Sequence, residues 1–137
     1  MRRAMFSLAA IVAAAVLLPG VAGEAAASKS EGAHPASEIT LKKYRGEIEI
    51  GPVEGQVELE CEPAGGTHPE YGQACERLAE VDGDFSRLPD AQMMCTMEYA
   101  PVTVVARGKW QGDRVHFRET YSNSCQASAK SNEVFDF

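Results

Sequence analysis

The chain has 137 residues, 45% of them hydrophobic, with 13 Lys and Arg against 20 Asp and Glu and a net charge of −7. So acidic a balance excludes binding to the phosphate backbone of nucleic acids. Cys61, Cys75, Cys95 and Cys125 form an even set with no C-x-x-C spacing, which argues against a metal knuckle or a dithiol redox site and in favour of disulfides in an exported chain.

Residues 1–27 are organised as a secretory leader, with Arg2 and Arg3 as the basic start, Met5 to Leu18 as the apolar run and Ala25-Ala26-Ala27 as a small-residue cleavage site. A cut after Gly23 is the alternative. The apolar run is too short for a membrane span, and no cysteine follows it to carry a lipid anchor, so an extracellular protein with no membrane association is expected. Starting the mature chain at Ser28 removes Arg2, Arg3 and Glu24 and takes the net charge from −7 to −8. The remaining ~110 residues suit one domain with a modest core, a size at which secreted proteins add disulfides. The organisation expected is a leader over 1–27, a mobile polar tail over 28–38 and a single domain over 39–137.

Ile39 to Ile50 is strand-like, but Ile39 and Leu41 lie on one parity and Tyr44, Ile48 and Ile50 on the other, which requires a bulge or bend between Lys42 and Gly46. Val57, Leu59 and Cys61 then alternate with Gln56, Glu58 and Glu60 as a half-buried strand. Cys61 to Cys75 encloses a Gly- and Pro-rich loop. Ala74, Cys75, Leu78, Ala79 and Val81 follow helical spacing, with Gly83 where a left-handed helix end belongs. Asp84 caps a further turn that runs through Leu88 until Pro89 stops it. Beyond Pro101, the alternation of Val102, Val104 and Ala106 and then of Val115, Phe117 and Tyr121 predicts a hairpin turning at Gly108 to Gly112. Ser122 to Asn132 reads as a polar connection, and Val134 to Phe137 as a final strand whose aromatics must find a core. The fold class expected is α+β, an antiparallel sheet of five strands with one or two short helices on one face.

Between the capped turn and the hairpin lies Met93-Met94-Cys95-Thr96-Met97-Glu98-Tyr99-Ala100-Pro101, which reads as bait for a protease. Met94 and Met97 flank a half-cystine, and Thr96 and Pro101 stiffen the backbone around a candidate scissile bond between Met97 and Glu98. A half-cystine two residues before the acyl-side residue ties the cleavage point to the protein body, as an inhibitor needs and a substrate does not. Met97, unbranched and apolar, suits the primary pocket of a subtilisin-like or chymotrypsin-like serine protease, and Met94 an apolar pocket three residues upstream.

From Val57 to Phe137 the sequence resembles the Streptomyces subtilisin inhibitor family of secreted serine-protease inhibitors. The resemblance rests on Gly66-Thr67-His68-Pro69, Ala74-Cys75 before Leu78-Ala79, Val81-Asp82-Gly83-Asp84, Met94-Cys95 with Met97 and Tyr99, Trp110-Gln111-Gly112, Ser122-Asn123 before Cys125, and Val134-Phe135. It implies a five-stranded antiparallel sheet with two helices, a homodimer, disulfides joining Cys61 to Cys75 and Cys95 to Cys125, and Met97-Glu98 as the reactive bond. Members of the family often have a small apolar residue where Glu98 stands and commonly proline where Thr96 stands. Cys95-Thr96-Met97-Glu98-Tyr99 is nevertheless similar to the Cys-Thr-Leu-Glu-Tyr loop of Kazal-type inhibitors, which have an unrelated fold and the same class of target.

Met94, Cys95, Thr96 and Tyr99 are thus expected to touch the protease around Met97 and Glu98. No catalytic residue, metal or cofactor is expected, and the alternative function is a secreted binding module that kept the scaffold and lost inhibition. Met93 is expected to pack inward, Tyr99 to be either core or contact, and the Thr96 hydroxyl to bond Glu98 across the scissile bond. Asn123 is either a turn residue or a brace behind the loop, and Trp110 either packs on its turn or lies in a dimer face. His68 and His116 read as loop and sheet-surface residues, not as ligands or bases.

Overall fold

The computed structural model describes residues 34–137. The expected leader and all but the last few residues of the expected tail lie outside the described residues. Strands β1 (Ser37–Arg45), β2 (Val53–Cys61), β3 (Gly65–Gly66), β4 (Val102–Trp110) and β5 (Asp113–Tyr121) form one antiparallel sheet in the order β3-β2-β1-β4-β5. Helices α1 (Tyr71–Glu80) and α2 (Ser124–Lys130) supply Ala74, Leu78 and Ala127 to the core, and the sheet answers with Ile39, Leu41, Leu59, Val104 and Ala106. The strand alternation puts these five sheet residues on one face, and the register sets Leu41 against Val57 on one side and Ala106 on the other. Lys43 shares that face. Its ammonium lies 4.8 Å from the centre of the Phe137 ring, and burial lowers its pKa against the opposing pull of Asp136 and Glu54.

The five strands and two disulfides follow the expected fold class, but three elements differ in place. β1 begins at Ser37, two residues into the expected tail, because Ser37 is buried and its hydroxyl accepts from the Gln111 N–H at 2.9 Å. It also stops at Arg45: the register shifts between Lys43 and Tyr44 within the expected bend, and Gly46, at φ +96°, turns the chain out of the sheet before Ile48 and Ile50. The C-terminal residues form no strand. Asn132 and Glu133 adopt φ of +50° and +64°, and the turn they make carries Phe135 into the core beside Phe85 and Phe117, with ring centres 6.0 and 6.3 Å away. The fifth strand is instead Gly65–Gly66, in the loop enclosed by Cys61 and Cys75, paired with Leu59 and Glu60. The connection expected over Ser122 to Asn132 contains α2, whose start signal, Asn123 with Gln126 three residues on, is legible in retrospect.

Gly83 sits at φ +72° with its N–H bonded to the Leu78 carbonyl at 2.9 Å, as the expected helix end. The Trp110 ring closes over it so tightly that a Cβ there would meet Trp110 Cγ at 2.3 Å, so Trp110 packs inside the fold against this turn. Asp84 accepts from the Ser86 N–H at 3.0 Å and starts a single 3-10 turn over Phe85–Arg87. His68 is buried, with Nε2 2.9 Å from the Val134 carbonyl and Nδ1 accepting from the Glu70 N–H at 3.0 Å, and it thereby links the stapled loop to the C-terminus.

Candidate functional site

Between Leu88 and β4 the chain has no helix or strand, and Gln92, Met93, Met94 and the run from Thr96 to Ala100 are exposed. Its position comes from a series of ties rather than from packing, for it arches beside a cleft of about 560 Å³ lined by Arg45, Gly46, Glu54 and Val102 on the body side. At the entrance the Ala91 N–H donates to the Ala129 carbonyl of α2 at 2.7 Å. The Cys95–Cys125 disulfide fastens the middle of the loop to the same helix, across a sequence separation of 30, while Cys61–Cys75 staples the far side of the sheet. At the exit the Ala100 N–H donates to the Ser122 carbonyl at 2.8 Å, and Pro101 accepts from the Gly46 N–H at 2.7 Å.

The tie nearest the candidate bond is Asn123. Its side-chain oxygen accepts from the Gln126 N–H at 2.9 Å and caps α2, which fixes the orientation of the amide. Its two amide hydrogens are then directed at the loop, to the Thr96 carbonyl at 3.1 Å and the Glu98 carbonyl at 2.8 Å. Asn123 is therefore both the turn residue and the brace. Among the described residues, Thr96 makes no hydrogen bond through its hydroxyl to Glu98. The main-chain carbonyls either side of Met97 are held from behind instead.

Met97 is 93% exposed and Met94 fully so, whereas Met93 is only half turned inward, 39% exposed with its sulfur 3.7 Å from the Ser128 hydroxyl. Tyr99 is 69% exposed, which removes it from the core, and its phenol donates to the Glu47 carboxylate. That hydrogen bond is the main reason the Tyr99 pKa is raised above its ordinary value. Neither Glu47 nor the Ser122, Ala129 and Gly46 backbone groups were marked by the sequence, since each is far from the loop along the chain. His116 is exposed on β5, and among the described residues no three His, Cys, Asp or Glu side chains are grouped to hold a metal ion.

Residues 35–123 match the family model described as subtilisin inhibitor-like. The chain belongs to the subtilisin inhibitor-like family. It is 40% identical over 140 residues to the subtilisin inhibitor of Streptomyces violaceus, a match covering 97% of this chain and 96% of that protein. It is 38% identical over 105 residues to subtilisin inhibitor-like protein 1 of Streptomyces cacaoi, covering 74% and 96%. Among solved structures it is similar to Streptomyces caespitosus sermetstatin in complex with Bacillus licheniformis subtilisin, at 36% identity and a TM-score of 0.63 over 74% of this chain and 98% of that one. Within this subtilisin inhibitor-like chain, the described residues contain no helix long and apolar enough to cross a membrane.

Proposed function

We propose that the chain is an exported, non-enzymatic inhibitor of subtilisin-like serine endopeptidases, and of chymotrypsin-like ones, with Met97-Glu98 as the bond offered to the attacking serine. One observation carries this reading: Met97 stands in solvent while the carbonyls of Thr96 and Glu98 are both bonded to the amide of Asn123. Carbonyls two residues apart point to the same side of an extended chain, so the Met97 carbonyl is turned the opposite way, toward an approaching enzyme. The protease would read the loop as an added strand, with Met97 in its primary pocket, Met94 in the apolar pocket three residues upstream, and Cys95, Thr96 and Tyr99 along the cleft.

Attack at the Met97 carbonyl would form an acyl-enzyme with Glu98 as the new amine. Cys95 is bonded to Cys125 on the acyl side, and on the amine side Glu98 and Ala100 are bonded to Asn123 and Ser122. Neither cut end can diffuse away, so the amine returns to the acyl carbon faster than water reaches it. Ordering in advance also spares on the order of 1 kcal/mol per residue, several kcal/mol for a bait segment of about six residues.

The family resemblance also implies a homodimer, for which the sheet face opposite the helices, with Thr40, Lys42, Tyr44 and Arg107 in and around one surface pocket, is available. Titrating subtilisin with the purified protein tests the function, and the mass of the free protein in the same preparation reads the dimer. Stoichiometric loss of protease activity is expected. Complete digestion, or no effect, would favour a binding module that has lost inhibition. Protein recovered from the culture medium is expected to begin at Ser28, and retention of residues 1–27 would overturn the leader.

Asn123→Asp separates the brace from the cap. A carboxylate still accepts from the Gln126 N–H and keeps the cap of α2, but it donates nothing to the loop, so thermal stability should fall by about 2 kcal/mol or more while the helix stays formed. Losing two hydrogen bonds, each worth about 1 kcal/mol, should speed cleavage of Met97-Glu98 by subtilisin about tenfold or more. Appearance of a new N-terminus at Glu98 is the readout, and a variant as durable as the parent would remove Asn123 from the mechanism.

A further inference from the structure

We propose that the β1–β2 connection, Gly46 to Pro52, is a second recognition surface that meets an apolar rim of a subtilisin-like protease beyond the subsites for residues after the cleaved bond; this rests on Met97-Glu98 being that bond. Large exposed hydrophobic side chains among the described residues are few: Ile48, Ile50, Val53, Tyr71, Met93, Met94, Met97 and Tyr99. All but Tyr71 lie either on the bait loop or on the β1–β2 connection and the first residue of β2. The two segments touch on the side following the bond, where Tyr99 donates to Glu47 and the Gly46 N–H bonds the Pro101 carbonyl. The exposed isoleucines therefore sit on a segment that is tied directly to the end of the bait.

The connection is also built to stay in place. The Thr103 hydroxyl donates to the Gly46 carbonyl at 2.8 Å, and Arg118 donates to the Glu47 carbonyl at 3.0 Å. The Glu49 carboxylate reaches back to Arg107 and Arg118 at 2.5 and 3.1 Å. The chain closes through Gly51, where a Cβ would stand 2.5 Å from the Arg45 carbonyl oxygen. The usual arrangement is inverted: the charged side chains of Glu47 and Glu49 are spent on partners within the molecule, and the isoleucines between and after them face solvent, Ile48 at 54% and Ile50 at 89% exposure. A held loop that turns its hydrophobic residues outward is preorganised for a partner. A protease seated on Met97 and Tyr99 brings its surface alongside these residues.

The test is the double variant Ile48→Ser with Ile50→Ser, which alters no core residue. Its inhibition constant for subtilisin should weaken about tenfold or more, with resistance of the Met97-Glu98 bond to cleavage and the mass of the free protein both unchanged. An inhibition constant within twofold of the parent overturns the proposal. So does a change in mass, which would assign the two isoleucines to contacts with a second copy of this chain. A parent protein that fails to inhibit overturns the reading of Met97 as well, whereas a parent and a variant that inhibit equally overturn only the second surface.

Discussion

Met97→Lys should turn the protein into an inhibitor of trypsin. A trypsin-type primary pocket ends in a carboxylate that an unbranched apolar side chain leaves unpaired, and a lysine in its place gains a buried charge pair worth about 3 to 4 kcal/mol, or about 10²- to 10³-fold in affinity. Against a chymotrypsin-type pocket the same substitution strips water from an ammonium with nothing to repay it, and binding should weaken by about tenfold or more. The change costs the fold nothing, because the Met97 side chain is almost wholly in solvent. Inhibition constants for trypsin, chymotrypsin and subtilisin, measured on parent and variant, decide the matter. Unchanged selectivity would mean that a residue other than Met97 occupies the pocket.

Replacing Cys95 and Cys125 together by serine should convert the inhibitor into a substrate. The disulfide closes a separation of 30 residues, and its loss should lower stability by roughly 3 to 4 kcal/mol through the greater freedom of the unfolded chain. The larger effect is expected in the complex. Without Cys95 held to α2, the acyl side of the cut bond keeps no covalent tether and is held by hydrogen bonds alone, from Asn123 to the Thr96 carbonyl and from Ala91 to the Ala129 carbonyl. The advantage of religation over hydrolysis falls with effective concentration, so net cleavage should accelerate on the order of a hundredfold or more. Cys61–Cys75 remains to staple the sheet, and circular dichroism at low temperature verifies that the variant is folded before protease is added. An intact, equally inhibitory variant after prolonged incubation would show that bracing by this disulfide is not what preserves the bond.

The proposal of Met97 for the primary pocket comes from the sequence, because side-chain type and its spacing from Cys95 are local properties. The tie that the mechanism most needs, Asn123 to the carbonyls of Thr96 and Glu98, joins residues 27 and 25 positions apart, and sequence reading left Asn123 undecided between turn and brace. It does both because an amide carries an acceptor and two donors, and capping α2 occupies only the acceptor. The Glu47–Tyr99 contact spans 52 positions and carried no sequence signal.

Fold elements divide in the same way. β2 and β5 follow simple alternation because each buries one face against a single core, β4 is buried on both faces from Val102 to Ala106 and reads as a β-branched apolar run, and Gly83 was readable because a left-handed helix end has few occupants. Val134 to Phe137 has a strand's residue types yet forms a turn, since burying Phe135 among Phe85 and Phe117 outweighs extension along an edge. Helix α2, seven residues long, was hidden by its small polar residues and is held by its Asn123 cap and by packing of Ala127.

By itself the sequence determined the acidic, disulfide-bearing character of the chain and most of the strand pattern, and it singled out the segment around Met97 that is proposed as bait. Tertiary structure alone decided what holds that segment, which neighbours flank it and which hydrophobic residues remain in water. The reason is range: alternation and turn chemistry act over a few residues, whereas a hydrogen bond to a loop with no repeating structure depends on where the rest of the fold brings its partner.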